Sequence, residues 1–276
     1  MKAKLYILTY NNEQHLNEGL RSAFNADLSD HELEVFIINN HTNFVLHDEF
    51  VDKVTVLHNV LQPDFGTGHT SRNWNQGLIH GFKDLNNPDC DIVILAQDDT
   101  LYRPNWLNNL YHIHFELKLD FFCVGAGDML HSYTPNAVKK VGLWDERFSA
   151  ICFMEHDYFI RAAMYLGNSA SVNDTGHMEG LYSFNQLPIA DEVAANPPRN
   201  QEKLQLGRIR ATFDNPFREL FKEKWGNYSE FTPTAPFVNN PRAAGVINYV
   251  LYPYFEKNID DLNGIGYNLG TGWSRP

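Results

Sequence analysis

The sequence predicts an α/β protein built on a mainly parallel sheet. Short apolar runs alternate with helical patterns through the first two-thirds of the chain, and this alternation is typical of βαβ units. The most informative run lies within residues 91–100 and ends in the adjacent carboxylates Asp98 and Asp99. Open α/β sheets bind ligands at the carboxyl edge of their strands, so the two carboxylates predict a binding site there. The plainer alternative is an acidic turn, because aspartate favours turns anyway.

Five apolar runs predict the strands, and several of them end in side chains that form hydrogen bonds. The first ends at Thr9, and the second runs into Asn39 and Asn40. A turn is expected over Val141–Phe148. The expected strands are about Lys4–Thr9, Leu33–Ile38, Lys53–Leu57, the run before Asp98, and Phe121–Ala126.

Four helices are predicted from apolar residues spaced three and four apart. Thr70 or Ser71 is the expected cap of the second, and Pro104 is expected in the first turn of the third. The fourth covers about Glu155–Leu166 and has acidic residues in its first turn. The apolar stripes are Leu16, Leu20, Ala23 and Phe24 in the first helix, Trp74, Leu78 and Phe82 in the second, Leu107, Leu110, Tyr111, His114 and Leu117 in the third, and Phe159, Ala162, Ala163 and Leu166 in the fourth.

The alternation ends near residue 189, which predicts two parts of the chain. Residues 1–189 are expected to form the α/β domain, and residues 190–276 an extension packed back on it. Pro197-Pro198 marks the break, and Asn215-Pro216 opens an amphipathic helix. The remainder is too rich in aromatic residues for a disordered tail.

Composition excludes several classes of protein. With 43% hydrophobic residues among 276, the chain can bury a substantial core. A net charge of −12 argues against nucleic-acid binding by phosphate neutralisation and makes any anionic ligand dependent on a metal or a local basic patch. Cys90, Cys123 and Cys152 lack metal-ligand spacing and suit reduced, buried thiols. We find no run typical of a signal peptide or a transmembrane segment, and therefore expect a cytoplasmic protein.

Three separated motifs occur in a fixed order along the chain. Gln97-Asp98-Asp99-Thr100 is followed by Pro104 and Trp106, then by Gly142-Leu143-Trp144-Asp145-Glu146-Arg147-Phe148, and then by Met154-Glu155-His156-Asp157-Tyr158-Phe159-Ile160-Arg161. In this order they resemble the inverting GT-A glycosyltransferases, especially family 2, over roughly residues 4–183. The resemblance implies a Rossmann-like nucleotide-sugar-binding fold and transfer of a sugar from a nucleotide-diphosphate donor, with a UDP-sugar favoured, to a glycan or lipid-linked acceptor.

The resemblance also implies a metal and two ligands for it. Asp99 matches the carboxylate that holds Mn²⁺ or Mg²⁺, which stabilises the leaving diphosphate. His177 matches the histidine that many relatives supply to the metal or the diphosphate. The first acidic position of the family's motif is occupied by Gln97 here, so a carboxylate contact to the metal or the ribose is lost. Asp98 is the candidate to supply that contact.

A general base for the acceptor hydroxyl is implied at the start of the fourth helix. Glu155 falls on the family's catalytic aspartate, and Asp157 is the alternative base. Asp157 also stands four residues before Arg161, a spacing that favours a salt bridge within the helix.

The nucleoside and acceptor contacts complete the expected site. Trp144 has two interpretations, an aromatic platform for the acceptor sugar or core packing. Tyr10 is a candidate to stack on the base. The expected nucleotide-binding residues are Thr9, Tyr10, Asn11, Asn39, Asn40, Arg72, Asn75 and Asp98.

Two rivals stay open at this point. Gln97, Asn39 and Glu155 depart from the family pattern, which would suit a GT-A-like binding protein that lacks activity. A sugar-1-phosphate nucleotidyltransferase shares a similar core, but the chain has no early glycine-rich segment with a basic residue. The donor sugar, the base, the acceptor, the linkage and the oligomeric state do not follow from the sequence.

Overall fold

The computed structural model describes residues 1–59, 70–124, 129–148, 153–166, 171–172, 178–179, 190–192 and 216–221. The strands are Lys2–Thr9 (β1), Glu32–Asn39 (β2), Val54–His58 (β3), Ile92–Gln97 (β4), Thr100–Tyr102 (β5), Phe121–Val124 (β6), Leu130–Tyr133 (β7), Ser171–Val172 (β8), Met178–Glu179 (β9) and Ala190–Glu192 (β10). The α-helices are Glu13–Phe24 (α1), Thr70–Phe82 (α2), Trp106–Tyr111 (α3), Pro135–Val141 (α4) and Phe153–Leu166 (α5). Residues 216–221 are also helical.

The central sheet has six strands in the order β3-β2-β1-β4-β7-β6. β3, β2, β1 and β4 are parallel, and β7 runs antiparallel to both β4 and β6. Register places Thr9 of β1 beside Asn39 of β2, and Asn39 beside His58 of β3. The predicted α/β class with a mainly parallel sheet is therefore confirmed, and the polar strand ends meet at one edge.

Helices cover both faces of this sheet. α2, α4 and α5 pack on one face around Trp74, Phe121 and Tyr158, while α1 and α3 pack on the other around Leu20 and Trp106. Trp74, Leu78 and Phe82 are fully buried, as the helical spacing predicts. Burial on both faces explains why β1 from Leu5 to Leu8 and β4 from Ile92 to Ala96 are continuously apolar instead of alternating.

The third helix differs from its sequence-based prediction. Pro104 precedes the N-cap Asn105, so its placement in the first turn was wrong. α3 ends at Tyr111 and continues as a π-helical turn, His112–Glu116. Within that turn the His114 Nδ1 lies 2.6 Å from the Leu119 carbonyl oxygen and Nε2 lies 2.8 Å from the Ser132 hydroxyl. Burial lowers the pKa of His114 to about 4, so the neutral ring donates to one group and accepts from the other.

Parts of the C-terminal segment contact the α/β core. β10 pairs antiparallel with β5, with Ala190 opposite Tyr102 and Glu192 opposite Thr100. Phe221 is buried, and its ring lies 5.8 Å from that of Phe153. The pairing with β5 attaches residues 190–192 next to the carboxylate turn. The division near residue 189 stays a prediction.

Charged groups at the amino edge of the sheet neutralise one another. The buried Lys4 ammonium lies 2.5 Å from an Asp89 carboxylate oxygen, and Lys83 lies 2.6 Å from the same oxygen. Hydrogen bonds from Lys4 and Lys83 hold the pKa of Asp89 below its usual range. These ion pairs satisfy the charges at this edge with groups of the chain itself, in contrast to the polar strand ends at the opposite, carboxyl edge.

Gly19 allows α1 to approach the carboxylate turn closely. A Cβ at this position would lie 2.8 Å from the backbone oxygen of Thr100 and 3.9 Å from that of Asp98. A backbone atom cannot move aside as a flexible side chain can. The sequence thus fixes the distance between α1 and the turn that follows β4.

We expect Gly19→Ala to destabilise the protein by about 1–3 kcal/mol, because the added methyl group would overpack against the Thr100 carbonyl. An exposed glycine in a helix normally gains about 0.5–1 kcal/mol on the same substitution, so the sign of the effect is the test. The free energy of unfolding is measured by urea denaturation. Gln14→Ala, at an exposed position of the same helix, is the control and should change it little. A stabilised Gly19→Ala variant would contradict the close packing.

Candidate functional site

The order of the strands creates a switch point between β1 and β4. The chain leaves β1 through α1 toward β2 and β3, then returns through α2 to β4 on the other side of β1. Connections that diverge from two neighbouring parallel strands leave a crevice outside their carboxyl ends, where open α/β sheets bind ligands. The loop after β1 and the turn Asp98-Asp99 both lie at this crevice.

Asp98 is the centre of a hydrogen-bond network at the switch point. Its Oδ2 accepts from the Thr9 hydroxyl at 2.7 Å and from the Tyr10 backbone N–H at 3.4 Å. Its Oδ1 accepts from the Asn12 side-chain amide at 2.8 Å. Asp98 and Thr9 are both buried. The predicted nucleotide contacts Thr9, Tyr10 and Asp98 are thus brought together, and Asp98 acts first as a brace between β4 and the β1–α1 loop.

The same network explains the local shape of the β1–α1 loop. Asn11 has a φ of 49°, a left-handed conformation that asparagine tolerates. Asn12 occupies the N-cap of α1 but makes no capping side-chain bond, and its side-chain nitrogen donates to Asp98. Sequence reasoning missed Asn12, although its position directly before an amphipathic helix was a usable signal.

Asp99 lies beside this brace and is partly exposed at the crevice. Mg²⁺ and Mn²⁺ sites that also hold a nucleotide use one or two carboxylates and take further oxygens from the phosphates. Asp99, next to Asp98, fits that donor set. Among the described residues, no group of three or more His, Cys, Asp or Glu side chains could hold a metal alone. The second predicted ligand, His177, lies outside the described residues.

Amides surround the ends of β2 and β3. Asn39 is buried, its Oδ1 accepting from the His41 N–H at 3.0 Å while its Nδ2 donates to the His41 carbonyl at 2.8 Å. Asn39 therefore shapes the loop after β2. The more exposed Asn40 lies beside it and accepts from the Asn59 amide at 3.0 Å. Asn59 Nδ2 is also 3.0 Å from the side-chain oxygens of Asn73 and Gln76 on α2.

This amide cluster, Asn40, Asn59, Asn73 and Gln76, connects the carboxyl edge to α2. Tyr10 stands next to it, in edge-to-face contact with His41 at a centroid distance of 5.1 Å. Arg72 lies in the first turn of α2 and is partly exposed. Asn59 and Gln76 gave no signal in the sequence, because Asn59 directly after β3 and Gln76 on α2 converge only after the sheet forms.

Asn75, predicted to bind nucleotide, forms hydrogen bonds with the backbone and a side chain of residues 144–146. Its Oδ1 accepts from the Trp144 N–H at 2.8 Å, and its Nδ2 lies 2.9 Å from both the Trp144 carbonyl and Glu146 Oε1. The side chain is 1% exposed. The structure thus gives Asn75 a positioning role.

Trp144 is not an acceptor platform, and that interpretation of the sequence was wrong. Its side chain is fully buried, stacks on Tyr158 at a centroid distance of 4.4 Å, and donates to the Tyr133 hydroxyl at 3.1 Å. Core packing, the alternative raised by the sequence, is what the structure shows. A tryptophan in a turn motif gave no means of deciding between the two.

The two candidate bases on α5 have different surroundings. Asp157 is fully buried and forms a salt bridge with Arg161, whose Nε lies 3.0 Å from Asp157 Oδ2. Arg161 also donates to the Val141 carbonyl at 2.8 Å. Asp157 is thus committed to holding α5 against α4, and Glu155, also buried, is the better candidate base.

No protein-family model and no curated protein matches the chain. Among solved structures, TarS 1-349 from S. aureus is 15% identical with a TM-score of 0.42, and the match covers 60% of this chain and 56% of that one. The longer TarS structure is 14% identical with a TM-score of 0.48, covering 77% of this chain and 39% of that one. The mannosyltransferase PcManGT from Pyrobaculum calidifontis, in complex with GDP-Man and Mn²⁺, is 13% identical with a TM-score of 0.46, covering 97% and 81%.

The chain spans little more than half of TarS 1-349 and well under half of the longer TarS chain. Among the described residues, no helix is long and apolar enough to span a bilayer.

Asp98→Asn should lower the free energy of unfolding by about 1–3 kcal/mol, because one amide nitrogen would face a hydrogen-bond donor of the brace. Asp99→Asn is the matched comparison and should have a smaller effect, since Asp99 is partly exposed. Urea denaturation measures both. Equal effects of the two substitutions would contradict the division of roles.

Asp157→Asn should lower the free energy of unfolding by about 3–5 kcal/mol, because it leaves the Arg161 charge buried without its carboxylate. Glu116→Gln breaks an exposed pair of the same i,i+4 spacing with His112 and should change stability by at most about 1 kcal/mol. Chemical denaturation compares the two. A small effect at Asp157 would reopen its assignment as the base.

Proposed function

We propose that the chain is a glycosyltransferase that moves a sugar from a nucleotide-diphosphate donor, with inversion and with a divalent metal. The supporting observation is the carboxylate pair at the switch point. Asp98 is used internally to hold the β1–α1 loop, while its neighbour Asp99 is partly exposed at the crevice. A braced carboxylate beside a more accessible one, at the edge where α/β sheets bind nucleotides, suits a metal that grips a diphosphate.

Asp99 is the proposed protein ligand, and His177 a second. Mn²⁺ or Mg²⁺ bound there would neutralise the departing diphosphate as a Lewis acid. With a net charge of −12, the chain requires such local compensation before it can hold an anionic donor. Arg72, at the carboxyl-edge end of α2, is the proposed cationic partner of the phosphates.

The nucleoside is proposed to lie along the ends of β1 and β2. Tyr10 offers a ring, Asn40 and Asn59 offer amides, and the Thr9–Asn39 register brings the two strand ends together. An amide both donates and accepts, so it suits a base edge that presents both kinds of group. TarS has been solved with UDP and with UDP-GlcNAc, and PcManGT with GDP-Man, which makes UDP-sugars and GDP-mannose the first donors to test.

Glu155 is the proposed general base. It lies in the first turn of α5 and is 2% exposed, so its carboxylate is largely withdrawn from water. Such a carboxylate can take the proton of an acceptor hydroxyl as the oxygen attacks the anomeric carbon from the face opposite the leaving diphosphate. The acceptor is proposed to be a glycan or lipid-linked hydroxyl, and the site of action the cytoplasm.

The rival function is a GT-A-like protein that binds a nucleotide sugar without transferring it. Gln97, Asn39 and Glu155 are the departures that favour this rival. Release of a nucleoside diphosphate from UDP-GlcNAc or GDP-mannose in the presence of Mn²⁺ would favour the enzyme. Binding without any release would favour the rival.

Asp99→Ala should abolish the Mn²⁺-dependent gain in melting temperature on addition of UDP or GDP, because the metal loses its main protein ligand. Thermal-shift measurements with and without Mn²⁺ provide the readout. Asp52→Ala removes an exposed carboxylate between β2 and β3 and is the charge-matched control, expected to keep the gain. An unchanged gain in Asp99→Ala would contradict the metal assignment.

Glu155→Gln should reduce sugar transfer by about 10²–10⁴-fold while leaving nucleotide binding intact, because the amide cannot accept the proton. Nucleoside diphosphate release measures turnover, and calorimetric titration measures binding. Normal turnover in this variant would exclude Glu155 as the base.

A further inference from the structure

The segment from Gly142 to Phe148, called here the 142–148 turn, holds its own shape. Gly142 has a φ of 84°, which favours glycine. The Asp145 carboxylate accepts from Arg147 Nε at 3.0 Å and from Arg147 Nη2 at 2.6 Å. The Phe148 N–H donates to the Asp145 carbonyl at 3.1 Å. These contacts make the turn a rigid unit.

Two side chains from the first half of α2 attach this turn at separate points. Asn75 binds both the N–H and the carbonyl of Trp144, and it also donates to Glu146. The Ser71 hydroxyl donates to the Phe148 carbonyl. Ser71 and Asn75 are one helical turn apart and both almost fully buried. α2 therefore determines where the turn sits.

The turn and Ser71 of α2 together contact the beginning of α5, the turn after Glu155 and Ser71 before it. Trp144 stacks on Tyr158, whose hydroxyl lies 3.4 Å from the Gly142 carbonyl. The Ser71 hydroxyl also lies 3.4 Å from the sulfur of Met154. Met154 and Tyr158 flank Glu155 in the sequence, so its backbone is held through residues on either side.

We propose that Asn75 and Ser71 are positioning residues that set the location of Glu155 through the 142–148 turn. This inference rests on the proposed function, in which Glu155 is the base. α2 begins at the carboxyl edge and bears Arg72 between the two side chains, so one helix would link the donor phosphates to the base.

Asparagine meets a demand at position 75 that no other side chain of its size meets. A backbone amide unit presents one donor and one acceptor, and a carboxamide complements both at once. Aspartate keeps the acceptor for the Trp144 N–H but places a carboxylate against Glu146 Oε1, which lies 2.9 Å from Asn75 Nδ2. Changing Glu146 to an amide at the same time restores a donor–acceptor pair.

The test combines Asn75→Asp, the double variant Asn75→Asp with Glu146→Gln, and the milder Ser71→Ala. Gln14→Glu is the matched control, since Gln14 also donates its amide to a glutamate, Glu18, but on an exposed surface. Nucleoside diphosphate release from UDP-GlcNAc and GDP-mannose with Mn²⁺ gives kcat. Titration with UDP and GDP gives Kd, and hydrogen exchange follows the amides of residues 153–158.

We expect Asn75→Asp to lower kcat by about 10-fold or more, because a misplaced catalytic group loses rate steeply. Kd should stay within about 2-fold of the unchanged protein, since binding does not use the base. Exchange in residues 153–158 should accelerate, the double variant should recover part of both losses, Ser71→Ala should show a smaller loss, and Gln14→Glu should show none.

Unchanged kcat in Asn75→Asp would overturn the inference. So would a parallel rise of Kd without recovery in the double variant, because that pattern reports general disruption. If the unchanged protein turns over neither UDP-GlcNAc nor GDP-mannose, the proposed function fails for both donors. The exchange measurement alone then decides whether Asn75 sets the position of α5. Normal exchange in Asn75→Asp would then refute that as well.

Discussion

The carboxylate of Asp98 is the interaction on which the candidate site depends. It joins the end of β4 to the loop after β1 through Thr9, Tyr10 and Asn12. The cost of burying a carboxylate is offset by these hydrogen bonds to the charged form. The contact orders the two strand ends that form the switch point, and it leaves the adjacent Asp99 partly exposed at the crevice. Asp98 and Asp99 are adjacent aspartates with different surroundings, so Asp98 is buried in hydrogen bonds and Asp99 is partly exposed.

A second set of contacts organises the site around α2. The helix reaches the amide cluster through Asn73 and Gln76, and it reaches the 142–148 turn through Ser71 and Asn75. Glycines of this helix permit close packing against the sheet, since a Cβ at Gly81 would lie 2.4 Å from Val93 Cγ2. The helix is therefore held against the sheet while its polar side chains connect the carboxyl edge with the segment leading to Glu155. Buried polar networks of this kind specify a single arrangement when every member is satisfied.

The fold was predictable because its signals are local and periodic. Apolar runs and helical stripes identified β1 to β4, α1, α2 and α5, and the polar residues that end the strands located the carboxyl edge. β7 and α4 were not predicted. In β7, Leu130–Tyr133 contains His131 and Ser132 and therefore lacks the apolar run that identified the other strands. Roles within the site were harder to predict. The sequence could place Asn75 and Trp144 near functional motifs, but the hydrogen bond between them joins residues far apart in the chain, and their burial follows only from the assembled fold. Asp157 shows the gain from keeping two interpretations, because the i,i+4 spacing with Arg161 already pointed to the salt bridge.

The most direct test of a metal at the switch point is a crystal structure obtained with Mn²⁺ and a nucleoside diphosphate, with anomalous scattering used to locate the cation. We expect one manganese peak with an Asp99 carboxylate oxygen and diphosphate oxygens about 2.0–2.3 Å away, and Asp98 still bonded to Thr9 and Asn12. A manganese ion bound elsewhere, or a nucleotide bound at this edge with Asp99 turned away from the phosphates, would contradict it.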